Sequence, residues 1–394
     1  MSGAHPVPAA RPGDPVARIA SPALVIDLDA MERNLQRMAG FAREHGLRLR
    51  PHAKMHKSAH IARLQMAAGA VGVCVQKLSE AQALAAGGVD NIFISNEVIC
   101  ETKLAELAQL ARQIKLAVCV DSALGVDRLA AAVRRAGSRV DVFVEIDVGQ
   151  GRCGVPATAA GALAHQVVSH APASAQAGQG GLCFAGLQAY HGRAQHLRSA
   201  AEREHAVQRA VTLARTAQAT ITAGGIACPL VTGAGTGSFG FEAASGVYGE
   251  LQAGSYLFMD RDYADNEPAP RVPQFEHALF IKSQVMSRGQ AHAVVDAGHK
   301  AHAIDSGLPR VWSRALAYAN GGDEHGLLSV VTAAPGVEPP LLEGLPGLGD
   351  TVWLVPGHCD PTVNLHDHYI AVRGGLHSGV VEAVWPVDAR GCLR

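Results

Sequence analysis

The chain has 394 residues, 48% of them hydrophobic and 18% charged, with 34 Lys and Arg against 35 Asp and Glu. That is apolar material for a large core or for two, and the even charge makes no electrostatic case for nucleic acid or an acidic membrane as partner. There is no run of about eighteen apolar residues, the start MSGAHPVPAARPGDPVAR has no apolar signal core, and the eight cysteines form no CxxC pair or secreted framework, so a reducing cytoplasm is the expected location.

From residue 23 two textures alternate. Short β-rich runs stand at ALVIDLD (23–29), up to His52, at VGVCVQ (71–76), NIFISNEV (91–98), KLAVCVD (115–121), VDVFVEIDVG (140–149), LCFAGLQAYHG (182–192), CPLVTGAG (228–235) and near 248–256. Between them apolar residues recur at helical spacing. Met31, Leu35, Met38 and Ala42 share one face, Leu104, Leu107, Leu110 and Ala111 another, and Leu129, Ala132 and Val133 a third. Repeated strand–helix–strand units predict a parallel sheet, and eight or nine strands fit a closed (β/α)8 TIM-type barrel, an α/β fold, better than an open sheet. The barrel is expected over 22–265. After DNEPAPRVPQF (265–275) helical periodicity stops and strand-like runs dominate, which predicts a C-terminal all-β domain over 270–394, with residues 1–21 available to pack on it.

The segment LRLRPHAKMHK (47–57) crowds Arg50, His52, Lys54, His56 and Lys57 at a strand end. Such ends line the C-terminal mouth of a barrel, where barrel enzymes do chemistry. Like-charged neighbours are expected to favour the neutral form of Lys54, the form that attacks a carbonyl. A solvated basic loop would have the same composition. Other strand ends favour chemistry: QGRCG brings Arg152, Tyr190-His191-Gly192 follows 182–189, and TGAGTGS (232–238) bares backbone N–H groups and hydroxyls to an anion. Gly254 and Ser255 follow in ELQAGSY (250–256). A carbonyl-attacking lysine beside two phosphate-type loops points to pyridoxal 5′-phosphate.

RPHAKMHK, QKLSEA (76–81), SNEV (95–98), EIDVGQGRCGV (145–155), LQAYHG (187–192), TGAGTGS and ELQAGSYLFMD (250–260) together resemble the alanine-racemase-like (fold type III) pyridoxal-phosphate enzymes. Within them they are similar to the branch holding D-threonine aldolase, 3-hydroxy-D-aspartate aldolase and D-serine dehydratase. The resemblance runs over nearly the whole chain. It implies that Lys54 carries the cofactor with Lys57 in support, that Arg152 lies near the ring hydroxyl, and that Gly235, Thr236, Gly237, Gly254 and Ser255 surround the phosphate. Tyr190 is a further ring contact. Alanine racemases face the pyridine nitrogen with an arginine from a late strand; this chain has none there, and Gln252 stands nearby. The resemblance also implies a homodimer.

Near the C-terminus stands PGHCDPTVNLHDHY (356–369). On an extended segment His358 and Asp360 face one way and Cys359 the other, which leaves a two-point metal site open to substrate or water. On chemistry alone His-x-Asp is a weak motif. The resemblance implies a divalent ion here, with the hard Asp ligand of the aldolases, suited to manganese or magnesium; the softer His-x-Cys of D-serine dehydratases suits zinc. The sequence thus predicts a pyridoxal-phosphate- and metal-dependent aldolase that cleaves D-β-hydroxy-α-amino acids of the D-threonine type to glycine and an aldehyde. Lys54 would be catalytic, with His191 or a water on the metal as base. Three alternatives stand beside it: a dehydratase of D-serine or D-threo-3-hydroxyaspartate, a 3-hydroxy-D-aspartate aldolase with Arg193 as its extra cation, and a pyridoxal-phosphate-binding protein without turnover.

Overall fold

The computed structural model describes residues 7–172, 180–331 and 344–394. The chain's first strand, β1 (Ala23–Asp27), is followed by β2 (Arg48–Leu49), β3 (Val73–Val75), β4 (Asn91–Glu97), β5 (Lys115–Val120), β6 (Arg139–Glu145), β7 (Gly181–Gln188), β8 (Val231–Gly233) and β9 (Glu250–Leu251). Strands β2 to β9 form one eight-stranded parallel sheet in the order β2-β9-β8-β7-β6-β5-β4-β3. Its two ends meet: Val71 N–H donates to Leu49 O (2.8 Å), Cys74 N–H to Pro51 O (2.9 Å), and a parallel bridge joins His52 to Cys74. The curled sheet closes beside the lysine segment.

Alternation along the strands separates two cores. Val73, Ile92, Ile94, Val118, Val142 and Val144 meet the outer helices. Cys74, Phe93, Ala117, Cys119 and Phe143 fill the interior, with the Phe93 and Phe143 rings 4.6 Å apart. A filled interior leaves only the strand ends free for chemistry. The helices start and stop where their local chemistry dictates. Helix α1 (Leu28–Glu44) begins where the Asp27 side chain accepts from Ala30 N–H, and it buries Met31, Leu35, Met38 and Ala42. The helix at Ala123–Ala136 is capped by Ser122 and ends at Gly137, whose φ of 63° is left-handed.

One expectation is corrected. ALVIDLD is not a barrel strand: β1 runs antiparallel to β10 (Leu279–Arg288) and parallel to a strand near the chain's end. Its residues are apolar on both faces, with Leu24 and Ile26 in one core and Ala23 and Val25 in another. A strand covered on both faces reads alike in either sheet. The second sheet continues through β11 (Ala293–Val295), β12 (Arg310–Val311), β13 (Leu316–Asn320), β14 (Gly326–Val330), β15 (Thr351–Val355), β16 (His368–Arg373) and β17 (Val380–Pro386). Its path is β13-β14-β11-β10-β1-β16-β17, with β15 also on β10 and β12 on β15. Ala10, Val16 and Ile19 from the N-terminal segment pack on this sheet, and Gly13 N–H donates to Val381 O. Residues 1–6 of that segment and 332–343 of the second domain lie outside the described residues.

The β sheet holds the lysine segment. Tyr369 OH donates to His56 O (2.6 Å), Ala389 N–H to Lys57 O (2.9 Å), and Ala59 N–H to Asp388 Oδ2 (2.7 Å). On the other side Asn34 of α1, fully buried, donates to Leu257 O (3.1 Å) and Glu276 O (2.7 Å) and accepts from Glu276 N–H (2.8 Å). Asn34→Ala strands these buried groups and is expected to cost about 2–3 kcal/mol, read from the urea-unfolding midpoint. A midpoint equal to wild type would mean that water replaces the amide.

Candidate active site

A cavity of about 370 Å³ opens where the barrel's strand ends meet the second domain. The barrel lines it with His52, Lys54, Gln76, Ser95, Arg152, Gln188, Tyr190, Gly235, Thr236, Gln252, Gly254 and Ser255, and the second domain adds His358 and Asp360.

Lys54 sits in a 3-10 turn, Ala53–Met55, directly after the barrel-closing residue His52. Its Nζ lies 2.8 Å from Asp360 Oδ2. This corrects the expected neutral lysine: the Asp360 carboxylate holds the ammonium protonated well above the usual lysine range. Burial raises the Asp360 carboxyl, but Lys54 and His358 outweigh it and hold it at about 2. The crowding of charge around Lys54 is resolved one residue at a time. Arg50 pairs with Glu250 (3.0 Å) and donates to Asn91 (2.8 Å), and Lys57 pairs with Glu80 (2.6 Å). Burial pushes His52 well below the ordinary histidine range and His56 down to about 4, so both rings are neutral. The like charges around Lys54 are thus spent on acids or absent.

The loop after β8 and the turn after β9 form an anion cradle. The N–H groups of Gly235, Thr236, Gly254 and Ser255 donate to no group among the described residues. A side chain at Gly235 would lie 2.4 Å from Gln195 Oε1, and one at Gly254 2.7 Å from His52 O. Ala234 enters this loop at φ 70°, a left-handed conformation that costs a non-glycine residue about 1–2 kcal/mol. Gly237 departs from its expected place: its N–H donates to Gln195 Oε1 (3.0 Å), and it does not line the cavity. Gln252 faces the cavity with its amide tied to Gln188 Oε1 (2.8 Å) and Thr232 Oγ1 (2.9 Å).

His358 and Asp360 do not lie on an extended strand. His358 is the N-cap of the short helix Cys359–Val363, so the turn of a helix, not strand alternation, brings the two side chains to the cavity while Cys359 is buried. His358 Nδ1 is held by Asp305 Oδ2 (2.7 Å), which leaves Nε2 toward Asp360. Nε2 and Asp360 Oδ1 stand 3.7 Å apart, and that oxygen is buried without a hydrogen-bond partner among the described residues. One cation with bonds of about 2.1 Å can span that gap. Free amides and glycines fit a phosphate, and an orphaned carboxylate oxygen beside an oriented imidazole fits a hard divalent ion.

His191 is corrected as a cavity residue. It is buried at 7% exposure behind Gly149, its Nδ1 has no partner among the described residues, and it does not line the cavity. Its near neighbour His196 does line it, beside His52 and His358, and sequence reasoning missed it. Its Nδ1 is held by Asp262 Oδ2 (2.5 Å), a buried carboxylate also paired with Arg198. Sequence reasoning also passed over Glu97 and Glu145 at the ends of β4 and β6. Burial and its Glu97 neighbour push Glu145 up to about 9, and burial raises Glu97 as well.

The Lys54–Asp360 pair makes a prediction. Asp360→Asn removes the attraction that raises the Lys54 pKa while burial still disfavours the ammonium, so the amine should deprotonate at lower pH. Labelling of Lys54 by an amine-reactive reagent, followed by peptide mass spectrometry against pH, should shift its midpoint down by about one unit or more. An unmoved midpoint would show that the ion pair does not set the charge of Lys54.

Comparison with known proteins agrees with this architecture. A family model described as alanine racemase, N-terminal domain, matches residues 26–262, and a model for a serine dehydratase domain matches 278–372. The chain is 46% identical over 390 residues to a D-threonine aldolase of Arthrobacter sp, covering 98% of this chain and 97% of that protein. It is 44% identical over 390 residues to a 3-hydroxy-D-aspartate aldolase of Paracoccus denitrificans (strain Pd 1222), covering 97% and 95%. Among solved structures, D-threonine aldolase from Filomicrobium marinum superposes with a TM-score of 0.91 at 48% identity, over 98% of this chain and all of that one. The closed parallel sheet, the strand-end cavity and the end-to-end matches lead to one conclusion: this chain belongs to the alanine-racemase-like family, in the form that joins an alanine racemase N-terminal domain to a serine dehydratase domain.

Proposed function

We propose that the protein is a pyridoxal-phosphate- and divalent-metal-dependent aldolase that cleaves D-β-hydroxy-α-amino acids of the D-threonine type to glycine and an aldehyde. The observation that carries this reading is the meeting of Lys54 with the His358–Asp360 pair in one cavity, across the seam between the two sheets. The full-length likeness to D-threonine aldolases supports the same reaction. Lys54 would carry the cofactor, Gly235, Thr236, Gly254 and Ser255 would hold its phosphate, and Arg152 and Tyr190 would contact its ring. Gln252, a neutral amide already engaged, brings no full charge toward that ring. His358 Nε2 and Asp360 Oδ1 would hold the metal. The hard Asp360 oxygen, where a thiolate would suit zinc, is the ground for manganese or magnesium.

When bound, pyridoxal phosphate supplies a sink for the electron pair released from the Cα–Cβ bond, and the metal ion supplies positive charge for the β-hydroxyl oxygen. The chain's own groups do the rest. His196 Nε2 takes the β-hydroxyl proton, and Asp262 on Nδ1 fixes the tautomer and stabilises the imidazolium that results. His196 replaces His191 in this role because it alone of the two faces the cavity. Lys54 Nζ, once free of Asp360, holds the proton that returns to Cα. The cavity's walls from both domains limit water at the breaking bond. A homodimer in the cytoplasm is the setting that accords with the family; no helix among the described residues is long and apolar enough to cross a membrane.

The test is a product assay with D-threonine, pyridoxal phosphate and Mn²⁺. Acetaldehyde and glycine are expected, lost on chelation and restored by metal. 2-Oxobutanoate and ammonia would instead make the protein a dehydratase. Lys54→Ala should bring cleavage below detection. Asp360→Ala should cut metal-dependent turnover by at least about a hundredfold while cofactor absorbance persists. Full activity of Asp360→Ala in the presence of chelator would remove the metal from the reaction.

A further inference from the structure

Asp260 lies where the barrel meets the second domain, and it is fully buried. Its two carboxylate oxygens serve two backbone N–H groups: Oδ1 accepts from Tyr263 N–H (3.0 Å) and Oδ2 from Cys359 N–H (2.9 Å). Each N–H lies in the first turn of a short helix. Arg261–Ala264 follows the barrel's last strand, and Cys359–Val363 belongs to the second domain. Backbone bonds run alongside, from Arg261 N–H to Pro356 O (3.0 Å) and from Asp262 N–H to Gly357 O (3.2 Å).

The two helices carry different parts of the chemistry. Asp262, on the first, holds His196, whereas His358 and Asp360 stand at the start of the second. His196, His358 and Asp360 all line the cavity; Asp260 does not. An asparagine or a serine would cap the first helix as well as an aspartate does. Only a carboxylate offers an acceptor oxygen to each of two N–H groups, and its negative charge suits both helix starts. The second bond matters because Cys359 is itself fully buried, so its N–H has no water to turn to.

We propose that Asp260 is a positioning residue for the metal: by holding Cys359 N–H it fixes His358 and Asp360 at the spacing a cation needs and at a set distance from the base, His196. This rests on the metal-dependent aldolase reading of the cavity. Asp260 acts through the turn that His358 and Asp360 flank. Without its bond to Cys359 that turn is still tethered through Pro356 and Gly357, but the two ligands lose their common orientation.

The experiment titrates holoenzyme with Mn²⁺, following the free ion by electron paramagnetic resonance, in wild type, Asp260→Asn, Asp260→Ser, Asn34→Ala and Asp360→Ala. Asn and Ser both keep the cap on Tyr263 N–H; the first turns an amide donor toward Cys359 N–H, and the second is too short to reach it. Both should weaken Mn²⁺ binding about tenfold to a hundredfold while the cofactor's absorbance stays as in wild type. Glycine release from D-threonine should recover in both at saturating Mn²⁺. Asn34→Ala, which loosens the fold away from the metal turn, should keep the wild-type Kd, and Asp360→Ala should lose the site. Where Asp360→Ala loses it, a Kd in the Asp260 variants no weaker than that of Asn34→Ala overturns the proposal and leaves the aldolase reading standing. Turnover that saturating Mn²⁺ does not restore also overturns it, because Asp260 would then act other than through the metal. Mn²⁺ binding that Asp360→Ala leaves intact removes the metal from His358 and Asp360, and the role of Asp260 falls with it.

Discussion

The contact on which the molecule's chemistry depends is the 2.8 Å ion pair between Lys54 Nζ and Asp360 Oδ2. One partner stands on a barrel strand end and the other on a helix start in the second domain. Asp360 is mostly enclosed, whereas the Lys54 side chain remains 42% accessible. The pair joins the two domains across the cavity. It also sets the charge of the lysine and leaves Asp360 Oδ1 free for a cation.

Much of the fold serves to keep that pair in register. The lysine turn is not free to drift, because the second domain grips its backbone at His56, Lys57 and Ala59 through Tyr369, Ala389 and Asp388. The remaining basic residues of the segment are drawn away from Lys54 by Glu250 and Glu80, both buried. The local field at Lys54 is thus governed by Asp360, although the sequence around the lysine is basic.

The barrel strands were legible because each is a short apolar run ending in polar or glycine-rich residues, and the cavity was legible because those ends carry amides, hydroxyls and cations. What was not legible was long-range. β1 is apolar on both faces, which suits either sheet, and only its partners β10 and β16 decide. His191 and His196 look equivalent in sequence; Asp262, distant along the chain, orients one toward the cavity while Gly149 lets the other tuck behind it. The charge state of Lys54 reads wrongly from its neighbours because its counter-ion lies near the opposite end of the chain. Gly237 carries the right residue type for a phosphate loop, yet Gln195 claims its amide. Local pattern locates strand ends; it does not say which polar atoms remain uncommitted there.

The placement of β1 has a consequence for how the protein is made. The strand leaves the ribosome before any barrel strand, yet its partner β10 follows the whole barrel and β16 comes later still. Roughly 250 residues separate β1 from β10, on the order of ten to fifty seconds of synthesis at about 5–20 residues per second. Throughout that interval Ala23–Asp27 has neither of its strand partners, and the barrel itself can close only once β9 has been made, shortly before β10. The nascent chain must shield this segment or hold it against the barrel until translation ends, and the side chains that would grip a metal are among the last to find their place.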